Sequence, residues 1–139
     1  MADPRIARLK AVPLFAHCSQ KELQFIVTQV EDMDFPAGKV LCEEGHYGGD
    51  FFILLSGGAE VTRGAKRLAA MVPGDFFGEI ALVDGGKRTA TVTTSEPSRC
   101  LVLGPRQFQS VLHQDAEIVM SVMKALAVRV REAGAATAD

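Results

Sequence analysis

Apolar residues along this chain keep two different periods, and the change between them divides it into three stretches. Over residues 4 to 12, Ile6, Leu9 and Val12 stand at helical spacing, and Pro13-Leu14-Phe15 ends the run. Ser19-Gln20-Lys21-Glu22 then reads as a capping box, in which a hydroxyl and a carboxylate each take a backbone N–H at a helix start. Behind it Leu23, Ile26, Val27 and Val30 follow the i, i+3, i+4, i+7 rule and predict a second helix with one apolar stripe. From Glu31 to Leu103 the period shortens, and Gly38, Gly45, Gly48-Gly49, Gly57-Gly58, Gly64, Gly74 and Gly85-Gly86 punctuate the runs. Many short strands separated by turns predict a sandwich or barrel. Phe51 to Leu55 is apolar throughout, the mark of a strand buried on both faces. Over Arg88 to Thr94, Ala90 and Val92 alternate with Thr89, Thr91 and Thr93, and Arg99 to Leu103 predicts the closing strand. Helical spacing then returns.

Pro105 suits the first position of a short helix running through Leu112. Asp115 caps a last helix, Ala116 to Ala133, expected to fray over 134–139. Its residues Val119, Met123, Leu126, Val130 and Ala133 step by four and three, a seam rather than a broad face. Such a seam can pack on its own core, on a ligand, or on its twin from another subunit.

Composition narrows the classes. One domain of 139 residues is expected, large enough for a real core, with 47% hydrophobic and 23% charged residues. The net charge of −2 and the lack of a basic run speak against nucleic acid as a partner. No apolar segment approaches the roughly 18 residues of a membrane span, and MADPRIARLK has no secretory apolar core. Cys18, Cys42 and Cys100 are odd in number and widely spaced, which fits free thiols in a reducing cytoplasm. His17, His46 and His113 are isolated, so no metal site is expected, and no nucleophile–base arrangement or GK[ST] loop is recognisable. The chain reads as non-enzymatic.

Chemistry concentrates in Gly74-Asp75-Phe76-Phe77-Gly78-Glu79-Ile80-Ala81-Leu82 and Arg88-Thr89-Ala90-Thr91-Val92. A glycine turn enters a single helical turn, Gly78 to Leu82, whose first N–H groups lack intrahelical partners and can seat an anion. Gly78 permits close approach, Arg88 offers a planar charged fork for phosphate, and Glu79, an acceptor only, suits a hydroxyl. The plain reading is a surface ion pair between Glu79 and Arg88, worth about 0–1 kcal/mol. Against it, Phe76, Phe77, Ile80, Leu82 and Val92 surround the pair with apolar bulk, in which polar groups need partners. Together these groups describe a pocket for a phosphorylated sugar.

FGEIAL followed by RTATV resembles the phosphate-binding cassette of the cyclic nucleotide-binding domain, shared by kinase regulatory subunits, cyclic nucleotide-gated channels and catabolite-activator-type regulators. The likeness extends through Pro36-Ala37-Gly38-Lys39-Val40-Leu41, Glu44-Gly45 and Asp50 to Gly57, and covers roughly residues 10 to 130. It implies a mainly β fold with flanking helices: an eight-stranded jelly roll over 31–103 carrying the cassette at 74–92, N-terminal helices over 1–30, and C-terminal helices over 105–133 ending in a lid. It also implies site roles. Arg88 would hold the phosphate and Glu79 the ribose 2′-hydroxyl, with Gly78, Ile80, Ala81 and Ala90 offering backbone groups and Phe77 beside them. Val61 and Met71 would flank the base or simply serve the core, and Arg129 would cover the base or face solvent. Thr89 can bond a purine and leaves cyclic AMP and cyclic GMP both open, with cyclic AMP favoured as the commoner ligand of such domains.

The expected function is a cytoplasmic cyclic-nucleotide-binding regulatory module that moves its C-terminal helix. The expected partners are the nucleotide and either a homodimer mate through that helix or an effector domain, with no DNA read by this chain alone. The rival is a structural or dimerisation domain of the same fold that ignores nucleotide. A metal-dependent cupin enzyme, with a similar barrel, lacks its histidines here.

Overall fold

The protein is described by a computed structural model over residues 3–138, with side chains over 3–134. The chain forms two compact units, residues 30–108 in one and the segments on either side of them in the other.

The helical unit begins at α1 (Pro4–Lys10), capped by the Asp3 carboxylate on Arg5 N–H, then passes through a 3-10 turn (Pro13–Phe15) into α2 (Gln20–Val27). Both halves of the capping box are made: Ser19 Oγ accepts from Glu22 N–H at 3.1 Å, and Glu22 Oε1 accepts from Ser19 N–H at 2.9 Å. Glu22 is buried and also accepts from Ser121 Oγ at 3.1 Å, so the cap ties α2 to the last helix. Ser19→Ala is expected to cost about 1 kcal/mol, read as a lower midpoint in urea unfolding.

The last helix, α5 (Ala116–Ala138), follows α4 (Pro105–Gln114) after the single residue Asp115. It is helical through Ala138, where a frayed end was expected, and Asp139 lies outside the described residues. The buried positions of α5 are Ile118, Val122 and Ala125, with Val119 and Leu126 half-buried. Met123 and Val130, placed on the seam by spacing, are instead 55% and 70% exposed, and Ala133 is exposed too. The packed face is therefore rotated by about one residue from the expected stripe. Apolar residues lie nearly all round this helix, so spacing alone admits several faces and burial selects one.

The second unit is a sandwich of two four-stranded antiparallel sheets. One runs β1 (Glu31–Phe35), β8 (Ser98–Leu103), β3 (Phe51–Ser56), β6 (Phe76–Phe77); the other runs β2 (Val40–Cys42), β7 (Thr91–Thr94), β4 (Ala59–Arg63), β5 (Lys66–Met71). The eight strands are those of a jelly roll. Phe51, Phe52, Ile53 and Leu54 of β3 are all buried, as a continuous apolar run requires. Phe52, Leu54, Met71, Val92, Cys100 and Val102 form the core between the sheets, and the Phe52 and Phe77 rings stack at 4.8 Å. All three cysteines are free. Burial pushes the thiols of Cys18 and Cys100 up to about 11, so both stay protonated at neutral pH.

Two boundaries shift from the sequence expectation, and both shifts shape the site. The cassette helix α3 (Glu79–Asp84) starts one residue after Gly78, whose φ of 92° makes it the cap rather than the first helical residue. β7 starts at Thr91, three residues after Arg88. The Arg88 N–H donates to His46 O and its carbonyl accepts from Gly45 N–H, both at 2.9 Å, so these groups pair with the 45–46 segment next to the isolated Tyr47–Lys87 bridge, outside the named strands.

Candidate functional site

Between β4, β5, α3 and the segment leading into β7 the sandwich holds a cavity of about 750 Å³. Phe77, Gly78, Glu79, Ile80, Ala81, Arg88, Thr89, Ala90, Val61 and Met71 all line it. Arg129 stands exposed on α5, in the other unit.

Arg88 is positioned from three directions. Its backbone is pinned to the 45–46 turn, and its Nη2 donates to Asp50 O at 2.6 Å. Its Nη1 lies so close to Gly78 that a Cβ built there would come within 2.6 Å of it. Arg88 is 9% exposed, and its Nε–H, wholly buried, has no hydrogen-bond partner among the described residues. Native structures satisfy nearly all buried donors, because each orphan costs about 1–3 kcal/mol. A permanently charged fork held in this way has the chemistry to receive an anion.

The helix start adds backbone donors. Leu82 N–H is bonded back to Gly78 O at 3.0 Å, so the amides of Ile80 and Ala81 precede the intrahelical ladder. Glu79 in the same first turn is 8% exposed, and with Arg88 equally buried the reading of the two as a surface ion pair falls away. The other carboxylates of the wall are engaged with backbone: Asp75 Oδ2 accepts from Val72 N–H at 2.9 Å, and Asp84 Oδ1 from Gly86 N–H at 2.8 Å.

The remaining wall is apolar. Val61 and Met71, left between core and ligand roles by the sequence, each pack with the core between the sheets and each line the cavity. Spacing missed Cys42, Arg63 and Leu68 in this wall. Cys42 donates through Sγ to Ala90 O at 3.6 Å, and burial raises its thiol above the usual range. Leu68 and Arg63 reach the cavity across the β4–β5 hairpin, and the turn glycine Gly64 was the signal that could have paired them. Outside the cavity, carboxylate oxygens of Glu22, Asp115 and Glu117 gather within 4.8 Å in the helical unit, where Glu22 is committed to its cap.

The family model for the cyclic nucleotide-binding domain matches residues 32–115. A cAMP-dependent protein kinase regulatory subunit from Hypocrea atroviridis is 33% identical over 104 residues, which is 75% of this chain and 22% of that protein. A CRP-like cAMP-activated global transcriptional regulator from Mycobacterium tuberculosis is 28% identical over 131 residues, 91% of this chain and 58% of that protein. The chain thus spans only about a fifth to three-fifths of the length of these relatives. Among solved structures, the N-terminal domain of a transcriptional regulator from Streptomyces coelicolor superposes with a TM-score of 0.85 at 26% identity, covering 94% of each chain. No helix among the described residues is long and apolar enough to cross a membrane.

Proposed function

The chain belongs to the cyclic nucleotide-binding domain family, and on that premise we propose that its cavity binds a cyclic nucleotide, cyclic AMP before cyclic GMP, as a non-enzymatic regulatory module of the cytoplasm. The observation that carries this is the buried Arg88 guanidinium with an unpartnered Nε–H, in a cavity wall that Ile80 and Ala81 share. The cyclic phosphate docks on Arg88 and those amides, and Glu79 accepts from the ribose 2′-hydroxyl. Ala90 adds a backbone donor, Phe77 and Gly78 line the sugar, and Val61 and Met71 enclose the base. The preference for cyclic AMP is supported by the ligand in the names of both relatives described above.

Binding becomes movement at the last helix. Asp115 is the single residue separating α4 from α5, and a hinge over Leu112 to Asp115 would let α5 move as a rod. A ligand that favours one arrangement by about 5.5 kcal/mol carries a population from 1:99 to 99:1. Titration with cyclic AMP, read by calorimetry and thermal shift, tests the reading. At a hundred times Kd a single-site ligand adds about 2.7 kcal/mol to stability, and an unchanged midpoint with no heat of binding would favour the scaffold alternative.

The partner of this module is a second copy of the chain, through α5. Met120, Met123, Ala127 and Val130 are exposed and step by three, four and three, the spacing of a coiled-coil seam. Met123→Glu with Val130→Glu should leave a monomer where the wild type is a dimer, measured by light scattering. A wild type that is already monomeric removes this part of the proposal.

A further inference from the structure

β4 keeps β7 as its neighbour only as far as the pair Thr62 and Thr91. Past that point the β4–β5 hairpin runs on by itself, through Arg63, the two-residue loop Gly64-Ala65 and Lys66. The overhanging part carries Arg63 and Leu68 of the cavity wall. A two-stranded tip has little stability of its own, so what fastens it decides where that wall stands. Among the described residues two bonds tie it to other segments: Arg63 Nε donates to Thr89 O at 2.9 Å, and Gly64 N–H donates to Glu44 Oε1 at 2.8 Å.

Burial does not require the second bond. The amide of the first loop residue stands outside the ladder of a two-residue hairpin, and Gly64 and Glu44 are both exposed, so water could serve either group. Glu44 forms no ion pair among the described residues, and Gly64 is its carboxylate's one hydrogen-bond partner there. Its backbone is fixed on the other side. Glu44 N–H donates to Thr91 Oγ1 at 2.9 Å, and the next two residues, Gly45 and His46, hold the carbonyl and N–H of Arg88. A single residue thus joins the hairpin tip, the segment that fixes Arg88 and the start of β7.

We propose that Glu44 is a positioning residue of the cavity, whose carboxylate clamps the hairpin tip to the segment that holds Arg88. It is not part of the cavity wall and acts through Gly64 and Arg88. The assignment rests on the nucleotide reading of that cavity and adds a residue to it. Losing an exposed bond costs the fold little, but a freed tip must be ordered again by each ligand that binds. Affinity and stability are therefore expected to separate.

Glu44→Ala removes the acceptor, whereas Glu44→Gln keeps a carbonyl oxygen at similar reach and removes the charge. Both variants and the wild type are titrated with cyclic AMP by calorimetry and unfolded in urea, and exchange of the Gly64 amide with water is followed by NMR. In Glu44→Ala the affinity should fall by about fivefold or more, with the urea midpoint unchanged and the Gly64 amide exchanging faster. Glu44→Gln should stay within about twofold of the wild type in affinity, with Gly64 still protected. Wild-type affinity in Glu44→Ala would overturn the assignment, and so would a Glu44→Gln as weak as Glu44→Ala. A fall in affinity accompanied by an equal fall in stability would overturn it too, by making Glu44 a purely structural residue. Wild-type protein that binds no cyclic AMP or cyclic GMP would instead overturn the nucleotide reading itself, and the role of Glu44 with it.

Discussion

Replacing Arg88 with leucine should weaken cyclic AMP binding by at least about a hundredfold, since charge-assisted hydrogen bonds contribute roughly 1.5–3 kcal/mol each and the phosphate would lose two. The unliganded fold should tolerate the change within about 1 kcal/mol. Leucine removes a buried charge and an orphaned Nε–H, and leaves only the Asp50 carbonyl without its donor. That combination separates a binding arginine from a structural one, whose loss would lower stability and affinity together. Calorimetry gives the affinity and urea unfolding gives the stability of the same variant. An unchanged affinity would show that the phosphate sits elsewhere.

The second large effect is expected at Gly78. Its φ of 92° is strained for any residue with a Cβ, at a cost of about 1–3 kcal/mol. The added methyl would also lie 2.6 Å from both Arg88 Nη1 and Asp50 O. Asp50 O is backbone and cannot swing aside, so the arginine or the cassette must shift. Gly78→Ala should therefore lose stability and at least about tenfold in nucleotide affinity, because small misplacements at a preorganised site are expensive. Gly38→Ala is the control, with a φ of 81° but nothing within 4 Å of its built Cβ. It carries the conformational strain without the collision, so its affinity should stay near that of the wild type. Equal affinity losses in the two variants would place the effect in backbone strain alone.

What could be read from the sequence was what local rules decide. The capping box at Ser19, the continuous apolar run of β3 and the proline at the start of α4 each follow from neighbours a few residues apart. The cassette was legible because its chemistry lies in two short segments, Gly74–Leu82 and Arg88–Val92. Contacts set by register were not. Leu68 of the wall is left without a strand partner where the hairpin shifts register between Val61 and Thr62, an irregularity no residue type announces. The start of β7 was misplaced because Arg88 gives its backbone bonds to the 45–46 turn, a partner more than 40 residues away. The face of α5 was misjudged because Met120, Met123, Val128 and Val130 are apolar and exposed, so hydrophobicity there does not mark the packed side.

The pairing of β1 with β8 bears on how such a unit is used. Glu31 lies across from Val102 and Phe35 across from Ser98, so the strand that opens the sandwich and the strand that closes it are neighbours. A fold whose entry and exit sit side by side can be spliced into a longer polypeptide without prising apart the sequences that flank it. Its assembly has a corresponding cost, because the first strand finds its mate only after the last has been synthesised, and such distant pairing makes folding slow.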